Sequence, residues 1–301
     1  MNLDSLADWS RTHYANGVSL QMDGQEVTLF GWVLEIRDLG GIRFVILQDR
    51  EGTIQITIPK KRVTPEVLSK SDLLQKRFCL AVRGTVKKTN MTPRGVEVIP
   101  SIIKIFSSAA EQLPIDISGK TPANIEARLD ARPLDLCQER SLSAFKIQHV
   151  ALEAIRSFLF KKGFLEVHSP RIIASATEGG ADLFGVDYFG QKAYLAQSPQ
   201  LYKEELTLSF EKVFEVGPFF RAEESHTRRH LSEFTSVDVE AAFAGAEDVM
   251  ELLEEVIHYA CLTVRDTCAA ELSALKYKFD VPEAPFKRLT YTEVLEDLKG
   301  Q

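Results

Sequence analysis

Cysteine is scarce in this chain: four among 301 residues, at positions 79, 137, 261 and 268, with no Cys-x-x-Cys pair. So few scattered thiols exclude a disulfide framework and a cysteine-built zinc site, and they fit the reduced cysteines of a cytoplasmic protein. Long apolar runs are missing as well, none approaching the about 18 residues that a membrane span requires. The start, Met1 to Asp8, has neither the basic stretch nor the apolar core of a secretory signal. Neither Gly-x-x-x-x-Gly-Lys nor Gly-x-Gly-x-x-Gly occurs, so a nucleotide site must be of another kind than the P-loop or the dinucleotide fingerprint. No internal repeat is visible. What remains is a composition of 45% hydrophobic and 26% charged residues, that of a globular protein long enough for two domains.

The net charge of −7 hides an asymmetry. Residues 1–106 carry 15 Lys and Arg against 11 Asp and Glu, whereas the remainder carries 21 against 32. A basic front on an acidic back is expected where one domain meets phosphates.

The first hundred residues read as five short strands, at 27–36, 42–47, 53–58, 77–86 and 96–106. Turn residues at Asp38-Leu-Gly-Gly41, Asp49-Arg-Glu-Gly52 and Thr92-Pro-Arg-Gly95 separate them. Thr64-Pro65 opens a helix after the third strand, with Thr64 as N-cap and Pro65 at the first helical position. Five strands with that helix between the third and fourth predict an OB-fold barrel, a common oligonucleotide binder. Residues 107–136 lack periodicity and read as a linker with a short ordered piece. A long amphipathic helix follows, with Leu142, Phe145, Leu152, Ile155 and Leu159 on one stripe and Gly163 just past its end. Strands at 164–167, 193–196, 212–219 and 235–243, then a helix over 247–265, predict an α+β antiparallel sheet with flanking helices.

The stretch Phe219 to Phe234 holds the densest chemistry, placing Arg, Glu, His and Phe between two apolar strands. Arg221 offers a planar fork for phosphate or carboxylate, Glu223 accepts from an amino group, and Phe234 provides a stacking face. Strand spacing predicts Arg221 and Glu223 on one face, toward one ligand. These are the requirements of bound ATP. His226 and His230 have no nearby third ligand, so no metal site is read there.

Several motifs in one order resemble the class II aminoacyl-tRNA synthetases in their aspartyl form, of the archaeal and eukaryotic type. Gly31-Trp32-Val33 through Arg37-Asp38-Leu39-Gly40-Gly41 with Phe44 resembles the start of an anticodon barrel. The long helix, following strand and Pro170 resemble motif 1, the family's dimer interface. Ala176 to Ala181 and Gln197-Ser-Pro-Gln-Leu-Tyr-Lys203 resemble the amino-acid pocket, and Phe-Arg221-Ala-Glu223-Glu-Ser with Arg229 to Phe234 resembles motif 2. The resemblance implies an anticodon-binding domain at 1–106, a linker at 107–136, and at 137–301 the N-terminal part of a catalytic domain. Motif 3 is not found before Gln301, which implies a partial synthetase that alone does not complete the reaction.

The implied reaction joins L-aspartate to ATP as an aspartyl-adenylate and then to tRNA(Asp), with magnesium as cofactor. Its magnesium ligands are expected outside this chain. Arg221 is the implied catalytic residue, bridging the attacking carboxylate and the α-phosphate. Arg221, Ala222, Glu223, Arg229, His230, Leu231 and Phe234 are implied for ATP. Glu178, Ser198, Gln200, Leu201, Tyr202, Lys203 and Arg221 are implied for aspartate, with Lys203 as the matching cation, Glu178 on the ammonium and Gly179-Gly180 closing a loop. Glu204 and Glu205 stand where the family has glutamine, and a carboxylate there would offset Lys203. For the anticodon, Phe44 is implied to stack on a base, Gln55 and Glu97 to read base edges, and Leu34 and Pro93 to set discrimination. Pro93 resembles the form that accepts tRNA(Asn) as well. Lys60-Lys61-Arg62 and Lys87-Lys88 are candidates for phosphate. A cytoplasmic homodimer without membrane contact completes the expectation. The alternatives are a noncatalytic tRNA-binding paralogue and an asparaginyl-tRNA synthetase-like enzyme.

Overall fold

Period-two alternation builds the first part of the molecule. In β2 (Ile42–Gln48) and β3 (Thr53–Pro59), Val45, Leu47, Ile54, Ile56 and Ile58 are buried, while Phe44, Ile46, Gln48 and Gln55 are only partly covered. With β1 (Glu26–Asp38), β4 (Cys79–Lys88) and β5 (Val96–Ser107) they form a closed barrel in the order β1-β2-β3-β5-β4. A single parallel pairing of Ile56 with Val98 joins β3 to β5. The predicted helix is present as α1 (Pro65–Leu73), where Thr64 Oγ1 accepts the Val67 N–H at 3.3 Å. Arg94, in the β4–β5 turn, donates to four carbonyls: Ala15 (2.7 Å), Asn16 (3.0 Å), Val18 (2.7 Å) and Thr53 (3.2 Å).

This computed structural model describes residues 2–299 apart from 110–111, 178–181, 224–226 and 228–229. They divide into two units, Met1–Gln138 and Glu139–Gln301. The segment expected as a linker at 107–136 falls within the first unit. It contains α2 (Ile125–Asp130) and α3 (Arg132–Asp135), fastened by the fully buried Asp135, which accepts from Arg128 at 2.7 Å and Arg132 at 2.5 Å. Gln48 Nε2 further donates to the Cys137 carbonyl at 2.8 Å, tying the segment to β2. Local periodicity could not reveal side chains that bond back onto strands far away in sequence.

The second unit opens with α4 (Glu139–Lys161), which ends where Gly163 takes φ +83° and the Phe164 N–H returns to the Leu159 carbonyl. Next come β6 (Leu165–Glu166), β7 (Ile172–Ile173), β8 (Gly185–Tyr188), β9 (Gln191–Leu195) and α5 (Gln200–Phe210). The hairpin of β10 (Lys212–Phe220) and β11 (Glu233–Ala241) follows, then α6 (Ala246–Thr267), α7 (Ala269–Leu275) and α8 (Tyr291–Lys299). One sheet has the order β11-β10-β6 and a smaller one β7-β9-β8. The α+β class stands, but β6 pairs parallel with β10, so the expected sheet is not wholly antiparallel. The long excursion through β7, β9 and α5 supplies the crossover that a parallel pair needs. Among the described residues no helix is long and apolar enough to cross a membrane.

Candidate active site and nucleic-acid interface

The β10–β11 hairpin separates oil from charge. Facing pairs Phe214–Val239 and Val216–Val237 fall on one side, and Phe214, Val216 and Val239 pack with Leu152, Ile155 and Leu159 of α4 and Leu252 and Val256 of α6. The alternate pairs are Val213–Glu240, Glu215–Asp238, Gly217–Ser236 and Phe219–Phe234, so the other side is a row of polar and aromatic groups. Helix residues of α4 and α6 cover the first side; on the second, Glu215 and Phe219 of β10 are buried while Ser236, Asp238 and Glu240 of β11 stay partly exposed.

Lys203, on α5, reaches this row. Its Nζ lies 3.5 Å from Asp238 Oδ1 and 3.4 Å from Glu240 Oε2, with only 12% of the side chain exposed. Both distances exceed those of a tight charge-assisted bond, and the ammonium has three protons to give. Asp238 Oδ2 is buried with no hydrogen-bond partner among the described residues. The carboxylates that offset Lys203 are therefore on β11. Glu204 instead accepts from Gln200 Nε2 at 2.5 Å along the exposed helix surface. That engages the Gln200 amide, and Leu201 is exposed too, while Tyr202 packs with Ile173, Ala196 and Phe219. Ser198 is buried; its hydroxyl accepts the Gln200 N–H at 3.3 Å and its carbonyl accepts from Thr177 Oγ1 at 3.1 Å.

Arg221 lies just past β10, where its N–H bonds the Ser232 carbonyl at 3.0 Å and extends the ladder by one residue. Its guanidinium stands 5.4 Å from the centre of the Phe234 ring. Glu223 is not on the strand with Arg221, as the spacing predicted. The strand stops at Phe220, the Ala222 N–H turns to the Asp182 carbonyl at 2.9 Å, and Glu223 faces His230 at 3.6 Å. His230 is held by Thr227 at 2.5 Å, and Leu231 is exposed. Glu178, Gly179, Gly180, His226 and Arg229 lie outside the described residues.

Sequence reasoning missed the buried pair behind this row. Glu215, 1% exposed, accepts from Arg171 Nη2 at 2.6 Å, from the Ser169 N–H at 3.0 Å and from Ser169 Oγ at 2.8 Å. The Arg171 guanidinium also covers the Phe219 ring at 4.1 Å. A Cβ at Gly217 would come 2.2 Å from Arg171 Nη2, so any side chain there would displace the guanidinium that crosses the strand. Asp238 and Glu240 were missed too, although the alternation Phe-x-Ser-x-Asp-x-Glu over 234–240 already puts them on one face.

The barrel carries the second cluster. Strand register sets Arg37, Phe44 and Thr57 in one row across β1, β2 and β3, and Glu35, Ile46 and Gln55 in the next. Glu97 Oε2 accepts from Thr57 Oγ1 at 2.7 Å and from Gln55 Nε2 at 3.1 Å. Gln55 and Glu97 are thus brought together beside Phe44, with Thr57 as a partner the sequence reading had not named. Leu34 sits at the β1 bulge between Val33 and Glu35, and Pro93 is exposed in the β4–β5 turn. Lys60, expected on phosphate, is instead held by both oxygens of Asp38 at 2.9 Å. That bond and the one from Arg43 hold the Asp38 carboxyl down at about 2.

Known families match both parts of the chain. The family described as tRNA synthetases class II (D, K and N) matches residues 124–301, and the OB-fold nucleic acid binding domain matches 27–106. The chain is 51% identical to the aspartate–tRNA(Asp/Asn) ligase of Methanopyrus kandleri, over 94% of this chain and 66% of that one. It is 45% identical to the ligase of the same name from Methanothermobacter thermautotrophicus, over 97% and 67%. It spans about two thirds of the length of these relatives. Among solved structures, asparaginyl-tRNA synthetase from Pyrococcus horikoshii with asparaginyl-adenylate matches at a TM-score of 0.89 and 32% identity, covering 97% of this chain and 67% of that one. Aspartyl tRNA synthetase from Entamoeba histolytica matches at 0.82 and 26%, covering 100% and 66%. A barrel that fits nucleic acid, a hairpin with one charged face and these matches lead to one conclusion: the chain belongs to the class II tRNA synthetases of the D, K and N group.

Proposed function

We propose that the chain serves the ATP-dependent attachment of L-aspartate to tRNA(Asp), with tRNA(Asn) as a second acceptor, through an aspartyl-adenylate. The observation that carries this reading is Lys203, nearly buried on the charged face of the hairpin and loosely held by two carboxylates. The side-chain carboxylate of aspartate takes the remaining ammonium proton in a charge-assisted bond, whereas the amide oxygen of asparagine accepts it only as a neutral partner. Asp238 Oδ2 is an acceptor for the substrate ammonium, beside the role expected for Glu178.

In the first step an oxygen of the aspartate α-carboxylate attacks the α-phosphorus of ATP, and the bond to the departing pyrophosphate breaks. Two anions meet there, and Arg221 donates to both. Phe234 supports the adenine ring and Glu223 accepts from its amino group. In the second step a hydroxyl of the terminal tRNA ribose attacks the acyl carbon and AMP leaves. Among the described residues no group of three or more His, Cys, Asp or Glu is placed to hold a magnesium ion. Phe44, Gln55 and Glu97 read the anticodon, with Leu34 and Pro93 at its margins. Exposed Phe160, Leu165 and Ile172 on and beside α4 support a homodimer, and a cytoplasmic location belongs to the same reading.

Calorimetry with non-hydrolysable aspartyl- and asparaginyl-adenylate analogues tests the assignment. The aspartyl form is expected to bind at least about tenfold more tightly, with Lys203→Ala erasing the preference. Equal affinity for the two analogues would refute aspartate as the substrate.

A further inference from the structure

A second opening lies in the first unit, away from Phe44. It measures about 630 Å³ and is bounded by Leu34 and Glu35 of β1, Gln75 and Lys76 before β4, and residues 112–121 of the segment that follows the barrel. That volume is within the range of pockets for small organic ligands. Its lining is divided: Leu34, Leu113, Ile115 and Ile117 supply apolar surface, and Gln75 and Gln112 supply amides. Lys76 is exposed at the rim and has no acidic partner among the described residues.

The two carboxylates at this opening are already occupied. Glu35 is bonded by Arg37 at 3.1 Å and Lys120 at 3.3 Å, and Asp116 by the Ser118 hydroxyl at 2.8 Å and the Thr121 N–H at 3.0 Å. A metal ion or a cationic ligand would have to break those bonds. A ligand with a flat apolar face, amide-like edges and a negative group suits the apolar lining, the glutamines and Lys76 in turn. Glu35 also belongs to the row that contains Ile46 and Gln55, so the opening is continuous with the face that carries Gln55 and Glu97.

We infer that this pocket receives one unstacked RNA nucleotide next to the anticodon triplet, its base against Leu34 and Leu113 and its phosphate toward Lys76. The inference rests on the tRNA-binding reading above and extends it to the segment after the barrel. That segment then takes part in recognition rather than serving only as a connector.

The test is the affinity of the 301-residue chain for a tRNA(Asp) transcript and for transcripts each made abasic at one anticodon-loop position. Gln112→Ala, at an exposed position, is expected to weaken the intact transcript about 3- to 10-fold. At one abasic position that penalty should vanish, while the penalty of Phe44→Ala remains. Lys76→Ala should weaken every transcript alike and flatten the salt dependence. The inference is overturned if Phe44→Ala weakens binding while Gln112→Ala binds like the parent, or if the Gln112→Ala penalty persists at every abasic position. Parent-like binding by both variants would overturn the tRNA-binding reading itself.

Discussion

The barrel face and the hairpin face use the same device to different ends. Each is a set of strands whose alternate residues are apolar, leaving the other residues for chemistry. In the barrel the polar trio is closed upon itself, since Glu97 already accepts from Thr57 and Gln55. In the hairpin the groups are incompletely met: Lys203 is more than 3 Å from both of its carboxylates and Asp238 Oδ2 has no partner among the described residues. A preformed hydrogen-bonded network suits reading base edges, where small differences in hydrogen bonding discriminate. A charged row with spare donors and acceptors suits a zwitterionic amino acid joined to phosphate. Stacking in the barrel and charge stabilisation in the hairpin should therefore respond to different substitutions.

The sharpest way to separate the two faces is to break the buried pair behind one of them. Glu215→Ala leaves the partly buried Arg171 without its counter-ion and is expected to cost about 3 kcal/mol, seen as a lowered unfolding transition of the second unit with the first unchanged. Arg221→Ala should lower affinity for the aspartyl-adenylate analogue by about 3–4 kcal/mol, with tRNA binding through the barrel preserved. In the opposite direction, Phe44→Ala should weaken tRNA binding by about 1–3 kcal/mol and leave the analogue untouched. Equal losses in both assays would mean that the two faces are not independent. Thr57→Val, which keeps the shape but removes the hydroxyl that holds Glu97, should cost about 0.5–1.5 kcal/mol in RNA binding.

The smallest effect concerns acid. Asp38 is held at about 2 by Lys60 and Arg43, and Asp116 at about 2 by the Thr121 N–H and the Ser118 hydroxyl. Because both are depressed in the fold, the stability they contribute is complete above pH about 4 and lost as pH falls through about 2. Circular dichroism of Asp38→Asn and Asp116→Asn should show a shallower acid transition than the parent.

Much of the barrel was legible because its signals are local. Alternation at 42–58, a Thr-Pro helix start and glycine turns each act within a few residues, and all five strands lie where they predict. The second unit was legible at α4, β10, β11 and α6, whose patterns are long. The two-residue strands β6 and β7 are too short to carry a period, and the parallel pairing of β6 depends on a partner some fifty residues away. The site followed the same division. Arg221 and Phe234 were candidates by residue type and Lys203 by the family resemblance. Arg171 and Glu215 could not, since neither looks unusual until the fold buries one against the other. Glu223 was misplaced because a strand period was extended past the point where the chain turns toward Asp182.

Arg94 leaves one consequence for the edge of the barrel. By grasping four carbonyls on two separate stretches, it anchors the turn that carries Pro93 before any RNA arrives. A tRNA meeting that turn has little motion left to quench, so the association loses less entropy than it would with a lax loop. Lysine could not replace this arginine, for one ammonium with three protons cannot span acceptors arranged around a flat fork.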